Sequence, residues 1–221
     1  MTVPKYFRNV GERAISSYDY YDIAEGTGIK SFYILKIWED GVEKNIISSQ
    51  SIYSSSIEHS DGPDVVGTSY TKTMDTDFDL SPFNLPKTIE GDAYISFSWW
   101  VTYTVSAAPY WYYNIIVKKV SGGVETTMGS SSSEVIGVAS NGTATQTSLK
   151  IALANTHFKK GDILRVTFEG WGKNTVGVDP TATFKFGVDP QNRDGDNIVP
   201  STDDPATTTK CQLYIPFVLD L

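Results

Sequence analysis

Apolar and polar positions alternate along much of this chain. Across residues 93–105, Ile95, Phe97, Trp99, Val101, Tyr103 and Val105 share one face, and Tyr94, Ser96, Ser98, Trp100, Thr102 and Thr104 share the other. A period of two marks a strand with one face buried. The same rhythm places Leu164, Val166 and Phe168 inward across residues 163–171, and Leu213, Ile215, Phe217, Leu219 and Leu221 on one face of residues 212–221. Residues 69–80 alternate as well, with Met74, Thr76, Phe78 and Leu80 opposite Asp75, Asp77 and Asp79. Residues 31–38 are apolar on both faces, as a buried strand requires.

Turn signals separate these runs. Asp40-Gly41 supplies the positive φ of a tight hairpin and predicts that residues 42–53 return along 31–38. Ala107-Ala108-Pro109 turns the chain, so 110–120 reads as the hairpin partner of 93–105, and Gly122-Gly123 makes the next turn. A short strand near 125–128, a mobile loop over 129–133, a strand marked by Leu149, Ile151 and Leu153, and a short strand over 183–188 complete the set. Residues 54–68, with Asp61-Gly62-Pro63, and the polar stretch 189–210 read as loops.

Roughly ten strands and no helix beyond about two turns predict an all-β, jelly-roll-like antiparallel β sandwich. Residues 31–221 form its single domain. Residues 1–30 lack alternation and read as an extended N-terminal arm, with at most a short helix where Val10 and Ala14 lie four apart.

Composition narrows the function. The 221 residues carry a net charge of -8, which disfavours direct nucleic-acid binding. Cys211 is the only cysteine, so no internal disulfide can form, and its place beside an apolar strand suits a packed thiol. The N-terminus has no apolar stretch of the signal-peptide kind, and no run approaches the length of a membrane span. Synthesis in a cytoplasm, with no membrane partner, is the expectation.

Candidate chemistry is sparse. His59 and His157 are the only histidines, they fall in a predicted loop and turn, and no Gly-x-Ser-x-Gly elbow, zinc-ligand cluster, Walker loop or dinucleotide fingerprint occurs. These absences lead to the expectation that the chain is not an enzyme. Asp75, Asp77 and Asp79 form a repulsive stripe that is solvated, holds calcium or meets a basic partner. Asp189, Asp194 and Asp196 lie in an oxygen-rich loop that does not follow the EF-hand order. No cofactor is expected, and calcium is the one ion these carboxylates suit. The aromatic residues are the other feature. Tyr18, Tyr20 and Tyr21 cluster in the arm, Trp100 lies on the polar side of its strand, and Tyr110 and Trp111 open the next one. Such rings pack beneath another element, fill a subunit interface or stack on sugars.

Several stretches resemble β-rich structural proteins of tailed phages and related viruses. They are residues 17–28 (SYDYYDIAEGTG), 77–80 (DFDL), 156–167 (THFKKGDILRVT), 189–194 (DPQNRD) and 215–221 (IPFVLDL). The resemblance implies a virion component, a capsid decoration or minor capsid protein before a tail component. Its expected partners are copies of itself, with a trimer compatible with closed symmetry, and a major capsid or tail protein. The alternative is a carbohydrate- or receptor-binding β-sandwich module of a tail or spike, with Trp100 and Trp111 as its stacking rings.

Overall fold

The computed structural model describes residues 28–65, 67–103, 109–137, 142, 144–174, 181–190 and 211–219. The predicted arm, with Tyr18, Tyr20 and Tyr21, lies outside them but for its last three residues, and so do Asp194 and Asp196.

The described residues form an all-β fold. In chain order the strands are β1 (Gly28–Glu39), β2 (Val42–Ser48), β3 (Glu58–Val65), β4 (Thr71–Leu80), β5 (Lys87–Tyr103), β6 (Pro109–Ser121), β7 (Val124–Ser132), β8 (Ile136–Gly137), β9 (Thr145–Phe158), β10 (Ile163–Asn174), β11 (Thr181–Gly187) and β12 (Gln212–Leu219). One ladder runs β3-β11-β5-β12-β1-β2-β4-β10-β6-β7, with β8 added to β6 and β9 to β5. The pairings are antiparallel except β2 with β4, where Ile46 meets Asp79 and Ile47 meets Leu80 in parallel.

The ladder folds back on itself into a sandwich, because every long strand carries one apolar face to bury. Phe97 of β5 meets Tyr113 of β6 at 5.6 Å and Phe168 of β10 at 5.5 Å. Phe186 of β11 stacks on Phe168 at 4.3 Å and 8°. Tyr113 is fully covered, and its hydroxyl donates to the Lys185 carbonyl at 3.2 Å. Burial, with the Asp61 charge adding to it, drives its phenol pKa well above the ordinary value. Cys211 is completely buried, and desolvation likewise raises its thiol pKa, so it packs as an inert apolar group. On one flank β7 approaches β9 so closely that a Cβ at Gly129 would run into the Ala152 carbonyl oxygen. Only glycine fits there.

Among the described residues the predicted inward faces of β4, β5, β10 and β12 are present, β1 is buried on both faces only around Ile34 and Leu35 while Trp38 is 67% exposed, and the first hairpin turns at Asp40 and Gly41 with φ of 53° and 79°. Three expectations need correction. β6 is not the hairpin partner of β5. It pairs with β10 and β7, while β5 pairs with β9, β12 and β11. Both strands have strongly apolar inner faces, so they gain more by facing each other across the core than by lying side by side. Residues 54–68 are not all loop, since β3 pairs with β11 from Glu58↔Gly187 to Val65↔Thr181. The stretch 129–133 is not a loop either, because β7 runs to Ser132 with a bulge opposite Val117/Lys118.

Candidate functional site

The outer face of β4, β10 and β6 divides into a charged end and an aromatic end. At the charged end, Arg165 of β10 answers the predicted acidic stripe. Its Nε and Nη2 donate to Asp79 at 2.7 Å each, and its Nη1 donates to Asp77 at 2.8 Å and Glu125 at 2.6 Å. Lys118 adds an ion pair to Glu125 at 2.8 Å, and Lys72 holds Asp75 at 2.6 Å. The hydrogen bonds to Asp79 are the largest influence raising the Arg165 pKa, against desolvation. The stripe is thus a set of ligands for basic side chains on neighbouring strands. Replacing Arg165 by methionine is expected to cost about 1–2 kcal/mol, since the guanidinium is largely covered and its loss leaves three carboxylates together. Urea unfolding checks this, and the loss should shrink with added salt as the carboxylates are screened. A loss that grows with salt would contradict the electrostatic account.

At the aromatic end, a bulge re-aims the side chains. Between Gly170 and Trp171 the register of β4 advances two residues for one on β10, so Met74 pairs with Gly170 and Lys72 with Trp171. Met74 then points into the core and Lys72 outward beside Trp171. Trp171 and Tyr112, directly paired across β10 and β6, hold their rings parallel within 2° at 6.3 Å. Tyr70 meets Tyr112 edge-on at 5.2 Å. The Lys173 ammonium lies 4.6 Å from the Tyr70 centroid and 5.6 Å from that of Tyr110. Tyr110 lies across Gly137, where a Cβ would stand 2.9 Å from its ring.

Glu169 is the polar centre of this end. It accepts from the Asn114 amide at 2.9 Å, the Trp171 indole N–H at 3.1 Å and Lys72 at 3.2 Å. Burial works against its charge, but these donors outweigh that and lower its pKa. The Tyr112 hydroxyl responds in the opposite direction: burial, then Tyr70 and Glu169, raise its pKa.

The predicted site residues fall elsewhere. Trp111 is 2% exposed and tilts against Tyr103 at 5.1 Å inside the core, so its ring has no free face for a ligand. Trp100 is 5% exposed, with the Lys185 ammonium 5.8 Å from its ring and Lys185 paired to Glu58 at 2.9 Å. As stacking rings these two are therefore corrected: both are covered. Tyr110 is 36% exposed and belongs to the aromatic end. Asp189 is buried, and its backbone N–H reaches the Ile57 carbonyl at 3.3 Å. Tyr70, Tyr112, Trp171 and Lys173 were missed. Parity carried the signal for two of them: with Phe168 inward, residues 169, 171 and 173 must face outward.

No protein-family model matches the chain, and no curated protein sequence does. Solved structures do. An aminopeptidase from a marine sediment Thaumarchaeota archaeon is 10% identical, with a TM-score of 0.51 over 85% of this chain and 37% of that one. A CocE/NonD family hydrolase from Staphylococcus aureus is 11% identical, with a TM-score of 0.47 over 87% of this chain and 37% of that one. A structure of infectious bursal disease virus, Gx strain, is 10% identical, with a TM-score of 0.29 over 82% of this chain and 41% of its chain. The chain thus spans 37% of the length of the two hydrolases. These likenesses speak to fold alone. The aminopeptidase likeness still overturns one expectation. The exclusion of an enzyme rested on missing motifs, yet a fold like this one forms part of an aminopeptidase chain. The exclusion is withdrawn.

Proposed function

We propose that this chain is a virion structural protein, a capsid decoration or minor capsid component, that works by binding neighbouring protein subunits. The observation that supports it is the β1–β2 hairpin. Trp38 is 67% exposed and Val42 59% exposed at its tip, on either side of the Asp40-Gly41 turn. The tip is braced: Lys36 pairs with Glu43 at 2.7 Å, and Lys44 with Glu39 at 2.6 Å. Burial opposes the Glu43 charge, but hydrogen bonds from Lys36, Ser55 and Ser56 bring its pKa down to about 2. The Ser55 N–H also ties the following segment to the Lys36 carbonyl at 2.8 Å. A preorganised hairpin that presents an uncovered indole has the anatomy of an interface anchor, because ordering it on binding costs little.

In this reading the partners are copies of the chain and a major capsid or tail protein, and the site of action is the virus particle. Co-sedimentation with assembled particles tests it. The chain should bind, and Trp38→Ala should weaken binding by roughly tenfold or more, as truncated aromatic anchors do. Failure to bind particles, or binding indifferent to Trp38, would remove the reading. The aminopeptidase likeness favours a second one, in which the chain is the β module of a larger hydrolase.

A further inference from the structure

The aromatic end of the β4–β10–β6 face has a chemistry that the assembly reading does not use. Four rings, Tyr70 just before β4, Tyr110 and Tyr112 on β6 and Trp171 on β10, lie close together and are each only partly covered. Between and beside them stand a carboxylate, an amide and two ammonium groups. Glu169 is fixed by three donors, and Lys173 bridges two rings. Among the described residues of the patch, the two ammonium groups of Lys72 and Lys173 match the two carboxylates of Asp75 and Glu169 in number.

We infer that this face binds a neutral oligosaccharide. A sugar ring presents C–H bonds on its faces and hydroxyls around its rim. The C–H faces suit partly exposed tyrosine and tryptophan rings, and the hydroxyls need donors and acceptors side by side, as Glu169, Asn114 and Lys72 supply. Other occupants fit less well. A phosphorylated or sulfated polymer would meet the Glu169 and Asp75 carboxylates, and the described residues of the patch offer it no excess of positive charge. A proline-rich peptide would use the rings but, with few N–H and no hydroxyl groups, would match the polar groups beside them poorly. The side chains are also held before any ligand arrives, which limits the ordering cost of binding. The inference is independent of the hairpin and uses none of its residues.

Isothermal titration of the whole chain against neutral gluco-, xylo-, manno-, galacto- and chito-oligosaccharides of about six units tests it. At least one should bind with a dissociation constant at or below the millimolar range, and Tyr112→Ala and Trp171→Ala should each weaken it roughly tenfold, the scale of a lost ring contact. Trp38→Ala should leave sugar binding unchanged, which separates this inference from the assembly reading. Thermal melts confirm that each variant folds. Should Trp171→Ala fail to fold, Tyr110→Ala, at the most exposed of the four rings, replaces it and should also weaken binding. Absence of binding across the panel would overturn the inference. So would binding unchanged in the folded ring variants, or binding only to sulfated glycans or to polyproline.

Discussion

Phe186→Ala is expected to lower the stability of the fold by about 3–5 kcal/mol, the range for removing a fully buried phenylalanine. Phe186 is 0% exposed and meets rings from five other strands. It stacks on Phe168 at 4.3 Å and meets Phe78 at 5.9 Å, Tyr113 at 6.0 Å, Phe97 at 6.4 Å and His59 at 5.4 Å. These partners come from β10, β4, β6, β5 and β3, so the side chain ties both layers together. The hole cannot collapse easily, because the surrounding rings are stiff and held edge to face by one another. In urea the midpoint should fall by about 1–2 M, given the usual slope for a domain of this size. Val124→Ala, at a position 67% exposed, should stay within about 0.5 kcal/mol of the parent. A Phe186→Ala loss below about 1 kcal/mol would mean that the two layers do not meet around this ring.

The ease with which parts of this structure follow from the sequence tracks how local the determining physics is. β10 and β12 could be read because each buries one face, so Val166, Phe168, Leu213 and Ile215 announce themselves by parity alone. The β1–β2 turn could be read because Asp40 and Gly41 must both adopt positive φ. Pairing is not local. The alternation of β5 states which of its faces is apolar but not which strands will lie beside it. Its edges are taken by β9, β12 and β11, from distant parts of the chain. β3 was missed because Ser60, Asp61, Gly62 and Pro63 are turn-forming residues, and it is the ladder to β11 that makes them a strand. The candidate site shows the same division. Trp111 belongs with Tyr113, Ile115 and Val117 on the buried side of β6, and parity alone could have placed it there. That Tyr70, Tyr112 and Trp171 meet depends on the β4 bulge and on a pairing 97 residues apart between β4 and β10, which no short pattern encodes.

Stability is also expected to fall by about 3 kcal/mol as pH drops from 6.5 to about 4, because of His59. The ring sits on β3 between Phe78 and Phe186, with centroids 5.9 and 5.4 Å away. Its Nε2 shares a hydrogen bond with the Thr76 hydroxyl at 2.9 Å, while its Nδ1 is buried and has no hydrogen-bond partner among the described residues. Burial is the main reason that its pKa falls from 6.5 to about 4. The Lys36 charge on β1 adds to that fall, and the Glu43 charge on β2 opposes it. The unfolded chain takes up a proton near pH 6.5, and the folded chain only near 4. Between those values the unfolded state holds more protons, so acid favours unfolding through this window. The strongly depressed carboxylates act at lower pH. Burial opposes the charge of Asp162, as it does that of Glu43, but the Lys159 N–H, the Ser121 hydroxyl and Lys119 bring its pKa to about 2. The stability these two acids contribute is complete above their ordinary pKa values near 4 and is lost as pH falls through 2. The interval from 6.5 down to about 4.5 therefore belongs mainly to His59. Urea midpoints of the parent should slope downward across it, and His59→Gln should flatten that slope while keeping a partner for Thr76. A parent curve flat over this interval, or a slope unchanged in His59→Gln, would show that the ring is solvated and that β3 does not seal this side of the core.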